Sequence, residues 1–333
     1  MKPGRPEGSG ATDRHGPDSR GTGGVRSMDR HGEKKGTRQT FGRTSCEDSG
    51  DEMTDRQSQK NSGQQAPDLL KVSGLRVHFH NAAPERYAVN GVSFSLKRGD
   101  TLGIVGESGS GKTVTAMCVS GLMPRGKADE EGSILLDGRE MFSCSEENLR
   151  RIRGQDVGVV FQDPMTTFDP LCRIGRQVEE ALTVRGIPKM ERRKRAVEAM
   201  GLAGLRDAEE LYSRYPYELS GGMLQRASIA AAMITKPKLL ICDEVTTALD
   251  VLIQEQILEL LRNLNEDYGM TILFISHDLH VVKKICKSVL VMERGKIVER
   301  GETAEVFAHP QHAYTKKLIA SIPARTERCR TYD

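Results

Sequence analysis

The sequence predicts an α/β fold built on a parallel sheet, and three stretches carry that expectation. Leu239-Leu-Ile-Cys242 and Ile272-Leu-Phe-Ile275 are short, wholly apolar runs of the kind that is buried on both faces of a parallel sheet. Thr101-Leu-Gly-Ile-Val-Gly106 is a third, and it runs through a glycine cluster into a stretch of helical character up to Met123. Strand, turn and helix in that succession form the repeating unit of α/β proteins.

The composition is uneven along the chain. Residues 1–66 hold eight apolar residues but twelve of the 34 glycines, whereas the rest is about 43% apolar, an ordinary globular share. Such a head buries too little to offset the entropy of ordering it. Its twelve basic residues are interleaved with ten acids, which argues against an arm for nucleic acid or lipid. Met28 and Met53 are both candidate initiators, so the head also reads as a misassigned start. The folded domain is expected over 67–325, with a short tail at 326–333.

Several classes are excluded. The longest apolar run, Ile229–Ile234, has six residues, and a membrane-spanning helix needs about 20. The N-terminus lacks the apolar segment of a secretory signal. A formal net charge of +3 is too small to argue for nucleic acid. The seven cysteines are scattered without a C-x-x-C pair and read as reduced thiols in a cytosolic protein.

Within the domain, Leu70–Phe79 alternates as a strand, and Ala88–Leu96 does the same after an irregular connection. The glycine cluster that follows the third strand is Gly106-Glu107-Ser108-Gly109-Ser110-Gly111-Lys112-Thr113. It matches G-x-x-x-x-G-K-[ST] in the strand-to-helix setting that this motif requires. Its glycines let the backbone curl so that N–H groups point at phosphate oxygens, aided by the partial positive charge of the helix start. Lys112 would reach the β- and γ-phosphates, and the Thr113 hydroxyl would bind Mg²⁺. Asp243 and Glu244 end the strand at 239–242, at the edge where open α/β sheets bind ligands. Asp243 would hold Mg²⁺, and Glu244 would orient or deprotonate the attacking water. Together the two motifs specify a nucleotide hydrolase.

Between them lies Leu219-Ser220-Gly221-Gly222-Met223-Leu224-Gln225-Arg226, which opens an apolar helix reaching about Ile234. A serine and two glycines at a helix start offer a hydroxyl and open N–H groups to an anion. This stretch resembles the L-S-G-G-x-x-x-R signature of the ATP-binding subunits of ABC transporters. The resemblance implies an ABC ATPase cassette: a RecA-like P-loop core, an antiparallel β subdomain, and a helical subdomain at about 170–235 that carries the signature. It also implies ATP and Mg²⁺ as ligands. A head-to-tail dimer with a second, related ATPase subunit would place Ser220, Gly221 and Gly222 on the γ-phosphate held by the partner's loop.

Other positions match the same family. Gln162, ending Val159-Val-Phe-Gln162, resembles the Q-loop glutamine that contacts Mg²⁺ or the water and couples to the membrane subunits. His277, after Ile272–Ser276 and 33 residues beyond Glu244, resembles the switch histidine that contacts the γ-phosphate. Ala248-Leu249-Asp250 looks like the loop that crosses the dimer interface. An aromatic ring from the loop before the second strand stacks on adenine in the family, and Phe79 and Tyr87 are both candidates. Val245 departs from the family, which usually has proline after the catalytic acid; both acids remain, so hydrolysis is expected to persist.

Val178–Val184 and Met190–Met200 carry helical patterns, and a strand at Ser288–Met292, a turn at Gly295-Lys296, a short strand and a final helix follow His277. The segment Val306-Phe-Ala-His309-Pro310-Gln311-His312-Ala313-Tyr314-Thr315-Lys-Lys-Leu-Ile-Ala-Ser321 is similar to the tail of the peptide and nickel importer branch, where H-P-x-H-x-Y-T-x-x-L is frequent, as are Phe161–Pro170 and Tyr215–Leu219. Only Cys329 stands in the final residues, so a C-terminal iron–sulfur site is not expected. That branch implies two transmembrane permeases and an extracytoplasmic solute-binding protein as further partners. It places the chain peripherally on the cytoplasmic face of the membrane, with peptides or nickel as cargo. An export or lipoprotein-extraction ATPase is the alternative; soluble ABC ATPases of repair or translation would need a long coiled coil or a second cassette, and neither is present.

Overall fold

The computed structural model describes residues 67–321 apart from Pro84 and Ala248. The polar head expected at 1–66 and the tail at 326–333, with Cys329, lie outside the described residues, as does Ala248 of the expected interface loop. In chain order the first elements are β1 (Asp68–Phe79), β2 (Val89–Lys97), β3 (Thr101–Val105), α1 (Lys112–Ser120), β4 (Ala128–Leu136), β5 (Arg139–Glu140), α2 (Glu146–Gln155) and β6 (Val157–Val160). A helical run follows: α3 (Pro164–Thr167), α4 (Ile174–Val178), α5 (Glu180–Val184), α6 (Lys189–Leu202), α7 (Ala208–Leu211), a 3₁₀ turn at Pro216–Glu218, and α8 (Gly221–Met233). The described residues end with β7 (Leu239–Asp243), α9 (Val251–Tyr268), β8 (Thr271–Ser276), α10 (Leu279–Ile285), β9 (Ser288–Glu293), β10 (Lys296–Glu302), α11 (Thr303–Ala308) and α12 (Ala313–Ala320).

Two sheets result. β2, β1, β4 and β5 form an antiparallel sheet, and the other runs β10-β9-β3-β8-β7-β6. In the second, only the β9–β10 pair is antiparallel. The central strands β3, β7 and β8 are buried along their whole length. Because side chains alternate between faces, Leu240, Cys242, Ile272 and Phe274 enter one core with α8, α9 and α10. Leu239, Ile241, Leu273 and Ile275 enter the other, with α1 and the antiparallel sheet.

Two segments differ from expectation. α1 stops at Ser120, short of Met123, because the N–H groups of Gly121 and Leu122 turn back onto the carbonyls of Cys118 and Met117. The region between α1 and β6 carries β4, β5 and α2, which the sequence pattern does not announce. The first half of β4, Ala128–Gly132, is largely exposed and lacks the alternation of a half-buried strand. α2 is set by the Ser145 hydroxyl, which accepts the Asn148 N–H at its start. A polar tie joins the two sheets: Lys238, just before β7, donates to Asp137 at 2.7 Å and Asp156 at 2.9 Å.

Register decides where the site lies. Val105 pairs with Ser276, Ile275 with Asp243, and Cys242 with Val160. The C-terminal ends of β3, β8, β7 and β6 are thereby brought side by side, together with the residues that follow them. Among the described residues, no helix is long and apolar enough to cross a membrane.

Candidate nucleotide site

The loop after β3 is held by contacts that only glycine permits at two positions. Gly106 has φ +154°, and a Cβ there would lie 2.2 Å from the Met292 carbonyl oxygen; Gly111 has φ +101°, and a Cβ would lie 2.4 Å from that of Ala88. The loop is therefore pressed between the end of β9 and Ala88, the residue that precedes β2. Gly111 also caps α1, so the positive end of that helix faces the loop's concave side.

Lys112 is buried, and its ammonium donates to the carbonyl oxygens of Gly106 at 2.9 Å and Glu107 at 3.0 Å. Burial lowers its pKa, against the opposing pull of the Glu244 and Asp243 carboxylates. Thr113 points its hydroxyl at Asp243 Oδ1 over a long 3.4 Å. Burial pushes the Asp243 carboxyl up, and Glu244 next to it adds to the effect.

Glu244 stands just beyond β7 with φ +52°, a left-handed conformation that is uncommon for a side chain of this kind. Its N–H donates to the Ile275 carbonyl at 2.9 Å, which fixes the turn. Its Oε2 accepts from the Thr247 hydroxyl at 3.3 Å and lies 3.2 Å from His277 Nδ1. That last contact requires the ring proton on Nδ1.

These residues converge on a cavity of about 720 Å³ lined by Gly106, Glu107, Ser108, Gly109, Gly111, Lys112 and Thr113, with Gln162, Glu244 and His277 opposite. Asp243 reaches it through Thr113 rather than by lining it. Ser110 is the one loop residue turned away; its hydroxyl is buried without a hydrogen-bond partner. Ala88 lines the cavity, whereas neither Tyr87 nor Phe79 does. Tyr87 meets His78 edge-on at 5.5 Å, and Phe79 packs against the core beneath the antiparallel sheet.

The Ser220–Gly222 stretch does not line this cavity. Ser220 is exposed and caps α8, its hydroxyl accepting the Met223 N–H at 3.3 Å. Gly222 abuts Ile253, whose Cγ2 would lie 2.8 Å from a Cβ. Arg226 ties the helix down through the Ala203 carbonyl at 2.9 Å and Gln256 at 2.8 Å. Val245 is buried in the core, and Asp250 caps α9 by accepting the Ile253 N–H at 2.9 Å.

Sequence reasoning misses four of the residues that line the cavity: Ala88, Val114, Thr247 and Leu318. Thr247 carries a weak local signal, a hydroxyl three positions after an acid in a turn. Leu318 belongs to the tail stretch similar to the importer branch, but nothing local ties that stretch to the site, since it comes from the far end of the chain. The donors at Thr113, Asp243 and Gln162 are a hydroxyl, a carboxylate and an amide, an all-oxygen set suited to a hard cation that shares its coordination with phosphates. Among the described residues, no cluster of three or more His, Cys, Asp or Glu could hold a metal by itself.

Comparison with known proteins gives a consistent picture. The family model described as ABC transporter matches residues 89–247. The chain is 44% identical to a probable peptide ABC transporter ATP-binding protein of Sinorhizobium fredii, over 77% of each chain. It is 46% identical to a dipeptide transport ATP-binding protein of Lactococcus lactis, covering 77% of this chain and 74% of that one. A peptidoglycan transport ATP-binding protein of Agrobacterium fabrum is 48% identical over 77% of this chain, but the match spans only 47% of that longer relative. Among solved structures, a dimeric ATP-binding cassette in a post-hydrolysis state with ADP and Pi superposes with a TM-score of 0.63 at 29% identity, over 71% of this chain and 99% of that one.

Proposed function

Because this chain belongs to the ABC transporter family of ATP-binding proteins, we propose that it is the ATP-hydrolysing subunit of an importer for peptides. The observation that carries the reading is the single cavity in which Lys112 and the glycine loop face Glu244, His277 and Gln162. The loop and Lys112 bind the phosphates of ATP, and the buried ammonium offsets charge that builds on the terminal phosphate. Glu244 takes the proton of the attacking water, and His277 orients that carboxylate through the 3.2 Å contact.

Thr113 and Asp243, with Gln162, would hold Mg²⁺, which neutralises phosphate charge when bound. Tyr87 supplies the ring for adenine; it adjoins Ala88 on the cavity wall, while Phe79 is engaged in the core. The exposed Ser220, Gly221 and their helix start serve the nucleotide of a second ATPase subunit, in a head-to-tail dimer of two related but different chains. Two permeases form the transmembrane path, an extracytoplasmic binding protein delivers the cargo, and this chain sits on the cytoplasmic face. Peptides are favoured as cargo because relatives similar along most of their length are named as peptide and dipeptide transport proteins.

The test is ATP turnover by the complex assembled with its permeases, partner ATPase and binding protein in lipid. Short peptides should raise the rate severalfold in the presence of the binding protein. Stimulation by nickel and not by peptides would overturn the cargo, and absence of turnover under any condition would overturn the activity.

A further inference from the structure

The His309-Pro-Gln-His-Ala-Tyr314-Thr segment has no part in the chemistry above, yet its helix leans on the phosphate loop. The phenol oxygen of Tyr314 accepts a hydrogen bond from the Glu107 N–H at 3.0 Å, across 207 positions of sequence. Tyr314 is buried, and burial pushes its phenol up, so the hydroxyl stays neutral at physiological pH. One turn along α12, Leu318 lines the same cavity as Lys112 and Glu244.

The start of α12 is itself anchored. Glu299, on β10, accepts the N–H groups of Gln311 at 2.7 Å and His312 at 3.0 Å. Burial works to raise the Glu299 carboxyl, but these donors outweigh it and hold it below the usual carboxylate range. His312 Nδ1 then caps the helix by accepting the Tyr314 N–H at 3.2 Å. Between helix and loop lies a hollow of about 430 Å³, bordered by Ser110, Arg294, His312 and Lys317. Glu107 and Tyr314, joined by their hydrogen bond, border it as well.

We propose that Tyr314 is a positioning residue for nucleotide binding: through Glu107 it fixes the outer limb of the phosphate loop, while Leu318 walls the cavity. A loop with glycines at positive φ has many conformations open to it, and only the curled one turns its N–H groups on phosphate. A contact that holds the curl before the nucleotide arrives strengthens binding and leaves the chemical step alone. The inference rests on the ATP reading of the loop.

The experiment compares wild type, Tyr314→Phe and Lys112→Ala by titration with a fluorescent ATP analogue, by steady-state kinetics of the assembled complex, and by amide exchange at Glu107. Loss of one neutral hydrogen bond should raise both Kd and KM for ATP in Tyr314→Phe by about 2- to 10-fold. Its kcat at saturating ATP should be unchanged, and exchange at Glu107 should quicken. Should that variant lose stability, which its Tm would reveal, Glu299→Ala loosens the same helix from outside the loop and should shift KM in the same direction. An unchanged KM in both variants would overturn the proposal, as would a fall in kcat at constant KM. A wild-type chain without ATP affinity, or Lys112→Ala that keeps it, would overturn the phosphate-loop reading and the brace with it.

Discussion

His277 Nδ1 lies 3.2 Å from Glu244 Oε2, joining residues that follow adjacent parallel strands. The contact exists because β7 and β8 are in register, with Asp243 beside Ile275, so Glu244 leaves β7 beside Ser276 and His277 leaves β8 one residue further on. Glu244 is held from two sides, by this ring and by the Thr247 hydroxyl. A carboxylate so fixed is suited to orient a water.

Glu244→Gln keeps the shape and the acceptor oxygen but loses the base. Turnover in the complex should fall by about 10²- to 10⁴-fold, while ATP binding is retained and the dimer persists with ATP on size exclusion. Normal turnover would remove Glu244 from the role of base.

Lys112 is buried against carbonyl oxygens of its own loop, an arrangement that concentrates its charge where phosphate would sit. Lys112→Ala should weaken ATP binding by about 10- to 100-fold, the scale of a lost hydrogen bond to a charged group. Isothermal titration with ATP reads this directly. Adenosine affinity, which does not involve phosphate, should change little.

Much of this site is legible in the sequence because its chemistry fixes both residue type and spacing. Lys112-Thr113 after a glycine loop, and Asp243-Glu244 after four apolar residues, suit few chemistries besides nucleotide hydrolysis, and register brings them together. What stays hidden has physical reasons. The exposed first half of β4 has no buried face to leave a pattern. Nothing marks Glu244 for its left-handed backbone, since the residue is not glycine. The Tyr314 contact joins segments 207 positions apart, and no local periodicity encodes a partner at that distance. The expected helical stretch Val178–Val184 is broken at its second residue, where Glu179, between α4 and α5, is buried and accepts the Tyr212 hydroxyl at 2.8 Å.

The pH dependence of nucleotide affinity should be set by two shifted groups. In the proposed site Lys112 would bind phosphate when protonated, and burial lowers its pKa below the ordinary lysine value of 10.5. Affinity should therefore decline on the alkaline side before an ordinary lysine would deprotonate. In the proposed site Asp243 would hold Mg²⁺ only when ionised, and burial raises its pKa above the ordinary 3.8. On acidification, the Mg²⁺-dependent part of the affinity should be lost at a pH above that of an exposed aspartate. Titrations with and without Mg²⁺ across the range separate the two limbs, and Asp243→Asn should remove the acid limb alone.

Ser220 distinguishes what the single chain does from what the dimer does. It is exposed, caps α8 and does not line the cavity of its own chain. Ser220→Ala should cost about 1 kcal/mol of stability through the lost cap, visible as a lower Tm. ATP affinity of the isolated chain should be unchanged. ATP-driven dimerisation and turnover of the complex should fall at least about tenfold, because in the proposed head-to-tail dimer the hydroxyl would meet the partner's phosphate. Ser220→Thr keeps a capping hydroxyl, so it should restore Tm, and the extent to which it restores turnover measures how closely that interface packs. Equal losses of ATP affinity in the isolated chain and in the complex would place Ser220 in its own chain's site and contradict the head-to-tail arrangement.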